Sequence, residues 1–140
     1  MMRALCTTCL FVMHQFGFAQ VQADDLLGTY WTEQRTGKIE IFKEGGKYFG
    51  RILWREEPRQ DTENPDRSLR NRSVVGITFL KDFVFDGEEE WGGGEVYSIA
   101  NGGTYSGKIW LEDEGQVLKM RGYMGFSLLG KTMTLMRVDD

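Results

Sequence analysis

The chain has 140 residues, the length of one domain, and carries 21 acidic residues against 17 basic ones. This acidic balance, without a long basic run, argues against nucleic acid as a partner, because phosphates require a basic surface.

Residues 1–23 have the layout of a secretory signal peptide. Arg3 precedes a ten-residue apolar core at 4–13, which is too short to span a bilayer. Small residues then offer two cleavage sites, after Ala23, which we favour, or after Ala19. The sequence therefore predicts an exported protein, periplasmic or extracellular, whose single domain covers residues 24–140 and has no membrane span.

The loss of this segment limits the chemistry that remains. Cys6, Cys9 and His14 are the only cysteines and the only histidine, and all three lie within it. The mature domain then has no disulfide, no usual zinc site and no Ser-His-Asp triad. We expect no cofactor, no metal and no enzymatic activity, with a carboxylate-dependent hydrolase as the minor alternative.

Short runs of aromatic, β-branched and aliphatic residues follow one another along the domain, separated by turns that contain glycine. The predicted strands cover residues 28–34, 37–43, 47–55, 76–85, 93–99, 103–113, 116–125 and 131–138. Ile39 and Ile41 alternate with polar residues, as Ile109 and Leu111 do, which indicates one face turned to a core. A small antiparallel meander hides its edges best by closing, so about eight strands predict an all-β up-and-down barrel.

One stretch between the third and fourth strands reads differently. Asn64 can cap a helix, Pro65 suits its first position, and Asp66 lies near the positive end of the helix dipole. The sequence therefore predicts a short helical turn over residues 64–71.

From 24 to 138 the sequence resembles a family of secreted bacterial proteins, the domain-of-unknown-function family 2147. The matching stretches are "GTYW", "GRILW", "NPDRSLRNRSVVG", "WGGGEVY", "GGTYSGK", "RGYMG" and "LLGKT". The resemblance implies a lipocalin-like barrel of unknown activity. It also implies a structural cation–π contact between Trp31, in the first strand, and Arg137, in the last, although "GTYW" adds one residue to the usual Gly-x-Trp spacing.

The same stretch "NPDRSLRNRSVVG" contains three arginines, Arg67, Arg70 and Arg72. Arginine binds carboxylate or phosphate through two parallel hydrogen bonds, so these side chains could hold an anion at the barrel mouth. The alternative, which we favour, is that nearby acidic residues pair with them and that the stretch is a structural cap.

Basic residues also occur inside three strands, at Arg51, Lys108 and Arg121. If they face the lumen, they would line a polar-tipped pocket with Tyr97, Tyr105 or Tyr123. The alternative is that they point to water, as single strand cations more often do.

Together these features predict a secreted, monomeric barrel that binds a small amphipathic or anionic ligand. The alternative is an interaction or envelope-maintenance protein, inhibitor-like, that binds a protein partner and no small ligand.

Overall fold

The structure is a computed structural model that describes residues 19–123 and 131–139. Most of the predicted signal peptide, residues 1–18, and the end of the seventh predicted strand, residues 124–125, lie outside the described residues. Eight strands follow in chain order: β1 Gly28–Thr32, β2 Gly37–Glu44, β3 Lys47–Arg55, β4 Thr78–Phe85, β5 Glu90–Tyr97, β6 Thr104–Glu112, β7 Val117–Tyr123 and β8 Thr132–Arg137. Three short 3-10 helices cover Ala23–Leu26, Arg67–Leu69 and Asp113–Gly115.

The strands form a closed barrel in sequence order. Each strand pairs antiparallel with the next, and β8 returns to β1 with Tyr30 opposite Arg137. The predicted all-β, up-and-down barrel is confirmed. Within the described residues, no helix combines the length and the apolar character that a membrane-spanning helix needs.

The two ends of the barrel differ in the connections that they carry. The mouth end carries the connections 33–36 and 98–103, the long connection 56–77, and Lys131 before β8. The closed end carries the N-terminal segment 19–27, the connections 45–46, 86–89 and 113–116, and residues 138–139.

The barrel interior is filled below the mouth end. Phe83 is fully buried, and its ring lies against Gly94 and Gly107 of the two following strands. A Cβ atom at Gly94 would lie 2.5 Å from Phe83 Cδ2, and one at Gly107 would lie 2.9 Å from Phe83 Cζ. Real carbon atoms do not approach so closely, so these two strand positions must be glycine for the phenyl ring to occupy the lumen.

β5 begins at Glu90, three residues before the predicted start of the strand. Trp91, which lies just before the glycine run 92–94, is fully buried and pairs with Ile109 of β6. The register shifts between Trp91 and Gly94, which indicates a β-bulge inside the strand. Burial of the indole ring therefore outweighs the low strand propensity of glycine.

The predicted helix over 64–71 is shorter than expected and begins later. The 3-10 helix covers only Arg67–Leu69, and its N-cap is Asp66, whose carboxylate accepts a hydrogen bond from the Ser68 backbone N–H. The N-cap assignment of Asn64 and the first-turn position of Pro65 are wrong. The Asn64 side chain is buried; its Oδ1 accepts the Asp66 backbone N–H at 2.8 Å, a local turn contact before the helix begins. Its amide donates to the buried Asp61 carboxylate at 2.9 Å, a contact that no local pattern indicates.

Candidate functional site

The mouth end opens into a cavity of about 360 Å³, which we call the mouth cavity. Its apolar lining comes from both sides of the barrel and from the connection 98–103, with Ile39, Ile52, Phe79, Val96, Ile99 and Met133. Met133 is 41% exposed although it lies on the same face of β8 as the buried Leu135. The cavity is within the range of about 300–1,000 Å³ that is typical of small-molecule sites.

Polar side chains surround this apolar lining. Thr32, Thr36 and Tyr97 contribute hydroxyl groups. Arg55 and Lys131 contribute positive charges, and Lys38, whose Nζ lies 4.3 Å from the Trp31 ring centroid, adds a third. The Arg55 Nε donates to the Glu57 carbonyl oxygen at 3.4 Å, and none of these three cations forms an ion pair with a described acidic residue. The mouth cavity therefore combines an apolar interior with an uncompensated basic rim.

The connection 56–77 packs beside the mouth cavity and is held by one buried carboxylate. Asp61 is fully buried, and its carboxylate accepts hydrogen bonds from the Tyr97 hydroxyl at 2.5 Å and the Asn64 amide at 2.9 Å. Arg72 completes the set, with Nε at 3.0 Å and Nη2 at 2.9 Å from Oδ2, the oxygen that also accepts from Asn64, whereas Tyr97 donates to Oδ1. Burial acts to raise the pKa of Asp61, but these hydrogen bonds and the charge of Arg72 outweigh it and lower that pKa.

The three arginines of this connection have different environments. Arg72 pairs with Asp61, and the Arg70 Nε donates to the Asn64 carbonyl oxygen at 2.7 Å. The Arg67 side chain is exposed and forms no ion pair or hydrogen bond with another described residue. The contacts of Arg70 and Arg72 are those of the structural alternative, in which the stretch caps the barrel.

The strand cations lie on the outer wall, so the lumen positions considered for Arg51, Lys108 and Arg121 are wrong. Arg51 pairs with Glu40 at 2.8 Å and lies over the Phe42 ring. Lys108 pairs with Glu90 at 2.8 Å. The hydrogen bond to Glu90 is the main cause of the raised pKa of Lys108.

Arg121 alternates along β7 with the buried Met120 and lies 5.7 Å from the Tyr123 ring centroid. Its position opposite Lys108 follows from the register of β6 and β7. Because the side chains of Leu118 and Met120 occupy the inner face, the residues that alternate with them, Lys119 and Arg121, face outward. The alternation was visible in the sequence, and it decides this point without the structure.

The three tyrosines considered with them are not brought together. Tyr97 lines the mouth cavity and donates to Asp61. Tyr105 lies opposite Val96 of β5, and its hydroxyl accepts a hydrogen bond from the Asn101 amide at 2.8 Å. Tyr123 belongs to the outer groove that contains Lys108 and Arg121. Of the predicted ligand-binding residues, only Tyr97 lines the mouth cavity.

The closed end is plugged by the 3-10 helix Ala23–Leu26. Leu26 is fully buried, and the Trp91 indole donates to the Ala23 carbonyl oxygen at 3.2 Å. The Asp24 carboxylate accepts a hydrogen bond from the Tyr48 hydroxyl at 2.6 Å and pairs with Lys43 at 3.1 Å. These two contacts, the Tyr48 bond first, lower the pKa of Asp24. Within the described residues, Leu26 and these contacts cover the closed end of the lumen.

Arg137 joins four parts of the closed end. Its guanidinium donates to the carbonyl oxygens of Gly115, Leu27 and Asp25 at 2.9, 2.8 and 2.7 Å, and to the Tyr30 hydroxyl at 2.7 Å. It also lies over the Tyr30 ring, 4.8 Å from the centroid. The structural role predicted for Arg137 has this physical basis.

The aromatic partner predicted for Arg137 is wrong. Trp31 packs instead against Trp54, at 6.1 Å between ring centroids, with Lys38 Nζ 4.3 Å from its ring centroid. Tyr30 precedes Trp31 and points to the opposite face of β1, so it preserves the Gly-x-aromatic spacing from Gly28. That spacing was the signal in the sequence that could have identified Tyr30.

The acidic connections 86–89 and 113–116 supply no assembled metal site within the described residues. Asp86 Oδ1 accepts the backbone N–H groups of Glu88, Glu89 and Glu90, and these bonds lower the pKa of Asp86. Across residues 19–123 and 131–139, no group of three or more His, Cys, Asp and Glu side chains is placed to hold a metal ion.

A larger cavity, of about 670 Å³, lies between the connection 56–77 and the outer wall of β4 and β5. Leu69 and Phe79 contribute apolar surface to it, and Arg72, Lys81 and Glu95 contribute charges of both signs. This mixed lining gives the outer cavity less distinct chemistry than the mouth cavity.

Comparisons with known proteins agree with this architecture. A solved structure, protein HP1028 from the human pathogen Helicobacter pylori, described as belonging to the lipocalin family, superimposes with a TM-score of 0.72. The two sequences are 29% identical, over 82% of this chain and 84% of that one. Among curated proteins, none matches this sequence. The profile of a family described as "Uncharacterized protein conserved in bacteria" matches residues 28–137, from the first residue of β1 to the last of β8. The chain is thus a member of that family, DUF2147, with a lipocalin-like barrel.

Proposed function

We propose that this protein binds a small amphipathic anion, an apolar chain with a carboxylate or similar head group, in the mouth cavity. The observation that carries the proposal is the combination of an apolar interior with Arg55 and Lys131 at the rim. The apolar chain would be removed from water, while the head group would stay at the rim beside these positive charges. The lipocalin-like fold shared with HP1028 also supports a role in binding a small ligand.

The filled lumen limits the ligand to a short chain. Phe83 and Leu80 are both fully buried and occupy the barrel below the mouth cavity. The ligand would therefore end against this packed layer and would not pass through the barrel, because filled interiors of small barrels admit no further atoms without strain.

Binding without turnover belongs to the same proposal. The mouth cavity is lined by apolar, hydroxyl and basic side chains, and none of the described residues that line it is a carboxylate. The alternative of a carboxylate-dependent hydrolase, which needs a pair of such groups at defined separation, has no support at this site.

The contacts of the N-terminal segment bear on export. Val21 packs against the core, the Gln22 backbone N–H donates to Asp25, and the Ala23 carbonyl oxygen accepts the Trp91 bond. Cleavage after Ala23 would remove all three contacts, whereas cleavage after Ala19 would retain them. We therefore expect an exported chain that begins at Gln20, and the intact mass of the periplasmic or secreted product tests this against a chain that begins at Asp24.

The binding proposal is tested by calorimetric titration of the purified barrel with decanoate and, as a matched neutral probe, with 1-decanol. Decanoate should bind, and the double variant Arg55→Met/Lys131→Met should weaken its binding by about tenfold, the equivalent of about 1.4 kcal/mol, because the head group loses two of the three cations that line the cavity. Decanol binding should change little in that variant. A closed-end variant, Lys47→Met, is the control and should bind decanoate as the unmodified protein does. Failure to bind decanoate, or an equal loss for both probes, would contradict the proposal.

A further inference from the structure

Charge is distributed unevenly between the two ends of the barrel. We define each end by the described residues of its connections together with the two residues of each strand that lie next to that end. The mouth end has eight basic and six acidic residues, a net charge of +2: Arg35, Lys38, Arg55, Arg59, Arg67, Arg70, Arg72 and Lys131, against Glu33, Glu56, Glu57, Asp61, Glu63 and Asp66. The closed end has three basic and eleven acidic residues, a net charge of −8: Lys43, Lys47 and Arg137, against Asp24, Asp25, Glu44, Asp86, Glu88, Glu89, Glu90, Glu112, Asp113, Glu114 and Asp139.

Exposed apolar side chains are more numerous at the basic end. Leu53 and Trp54 near the end of β3, Val75 in the long connection and Met133 at the start of β8 are 37%, 42%, 41% and 41% exposed. The closed end has Val84 and Met136, at 47% and 42%. The mouth end therefore presents large apolar side chains and positive charges on one surface. The exposed apolar side chains of the closed end, in contrast, lie among acidic residues.

Trp54 reaches this surface through a local irregularity. The pairing of β2 with β3 shifts between Lys38 and Ile39, so that Ile39 faces Ile52 while Lys38 faces Trp54. This bulge turns the indole of Trp54 to the outer wall, where it packs edge-on against Trp31 beneath Lys38. An amphipathic ring beside a lysine is the arrangement that proteins place at a membrane–water interface.

We propose that the mouth end docks on an anionic lipid surface, with Trp54 and Leu53 in the interface and the acidic closed end turned away from it. β3 is about 30 Å long, since it has nine residues at roughly 3.3 Å each. Because barrel strands tilt by about 35–45°, its two ends lie roughly 20–25 Å apart along the barrel axis. Charge interactions in physiological salt fade over about 8 Å, so the acidic end does not cancel the attraction of the mouth end. In this orientation the mouth cavity opens toward the membrane, the source of amphipathic anions. Docking depends on the surface alone and does not require the cavity to be occupied.

Vesicles of phosphatidylcholine, with and without one quarter phosphatidylglycerol, test the proposal in the absence of decanoate or any other added ligand. The protein should float with the anionic vesicles, bind the neutral ones less, and dissociate as salt is raised, because basic residues carry the attraction. Brominated lipid should quench part of the tryptophan fluorescence, and the Trp54→Phe variant should lose most of that quenching.

Two pairs of variants locate the docking surface. Arg35→Glu/Arg67→Glu changes two charges at the mouth end that do not line the mouth cavity, and vesicle affinity should fall by about tenfold or more. Lys43→Glu/Lys47→Glu makes the same change at the closed end and should leave affinity within about twofold, since those charges lie beyond the screening distance.

The apolar pair is Trp54→Ser at the mouth end and Val84→Ser at the closed end, and only the first should weaken binding. The proposal is overturned if anionic vesicles are not preferred, if closed-end variants weaken binding as much as mouth-end ones, or if brominated lipid does not quench the unmodified protein. The quenching experiment needs no variant, so misfolding of a variant cannot obscure the result. Decanoate titration in solution remains separate, so either proposal can fail without the other.

Discussion

Replacing Arg137 by methionine removes the group that joins the closed end while keeping most of its apolar contact with the Tyr30 ring. The guanidinium makes four hydrogen bonds, three of them partly buried, to Gly115, Leu27 and Tyr30, and one exposed, to Asp25. Each lost bond leaves an acceptor that water can reach only in part.

The expected cost follows from these contacts. Three partly buried bonds at about 1–1.5 kcal/mol each give roughly 3–5 kcal/mol, and the exposed bond adds little. This is a large share of the roughly 5–15 kcal/mol by which a domain of this size is stable. Arg137→Met should therefore lower the free energy of unfolding by about 3–5 kcal/mol and leave a barrel that still folds at neutral pH.

Urea unfolding, followed by tryptophan fluorescence, measures this cost. With a slope of about 2 kcal/mol per molar, the midpoint should fall by roughly 2 M. The matched control is Arg67→Met, since the Arg67 side chain is exposed and forms no described ion pair or hydrogen bond, and its effect should stay within about 0.5 kcal/mol. A loss below about 1 kcal/mol for Arg137→Met would refute the view that this arginine holds the plug in place.

Three further results are expected. Gly107→Ala should lower the free energy of unfolding by about 1–3 kcal/mol, because its Cβ would lie 2.9 Å from Phe83 Cζ. Gly92→Ala, whose Cβ would have no atom within 4 Å, should leave that free energy unchanged. Similar urea midpoints for the two variants would contradict this expectation. Burial acts to raise the pKa of Asp61, but its hydrogen bonds lower that pKa below the usual value. The contribution of the ionised carboxylate to stability is therefore present above about pH 4 and lost as the pH falls through the lowered pKa. The difference in unfolding free energy between the unmodified protein and Asp61→Asn should shrink in acid, and a difference that stays constant would contradict this role of Asp61. Burial raises the pKa of Tyr30 to about 12. The contribution of the neutral Tyr30 hydroxyl to stability is therefore present below about pH 10 and is lost as the pH rises toward 12. An absorbance titration should show a late tyrosine step that is absent in Tyr30→Phe.

The strands could be predicted because their signal is local. Alternation of Ile39 and Ile41 with polar neighbours, and glycine-bearing turns between runs, fixed eight strands close to those observed. The same alternation places Lys108 and Arg121 on the outer wall, and a stricter use of it would have excluded their lumen positions.

The candidate site was less accessible to sequence reasoning. The mouth cavity is built from single residues of distant strands and connections, such as Ile52, Ile99 and Met133, and no local pattern marks residues that meet only after closure. The arginines of the long connection attracted a functional interpretation, yet Arg72 pairs with Asp61, a carboxylate eleven residues away that only the folded connection brings near.

The sequence by itself determined the strand number, the antiparallel order and the absence of cysteine and histidine from residues 24–140, because these depend on composition and on contacts between neighbours. Only the tertiary structure decided which end of the barrel is open, that the Asp61 carboxylate meets Arg72, and that basic and acidic residues separate to opposite ends. Those features depend on register, bulges and closure, which bring together residues that are far apart in the chain. The local sequence around each of these residues does not identify its partner in the folded protein.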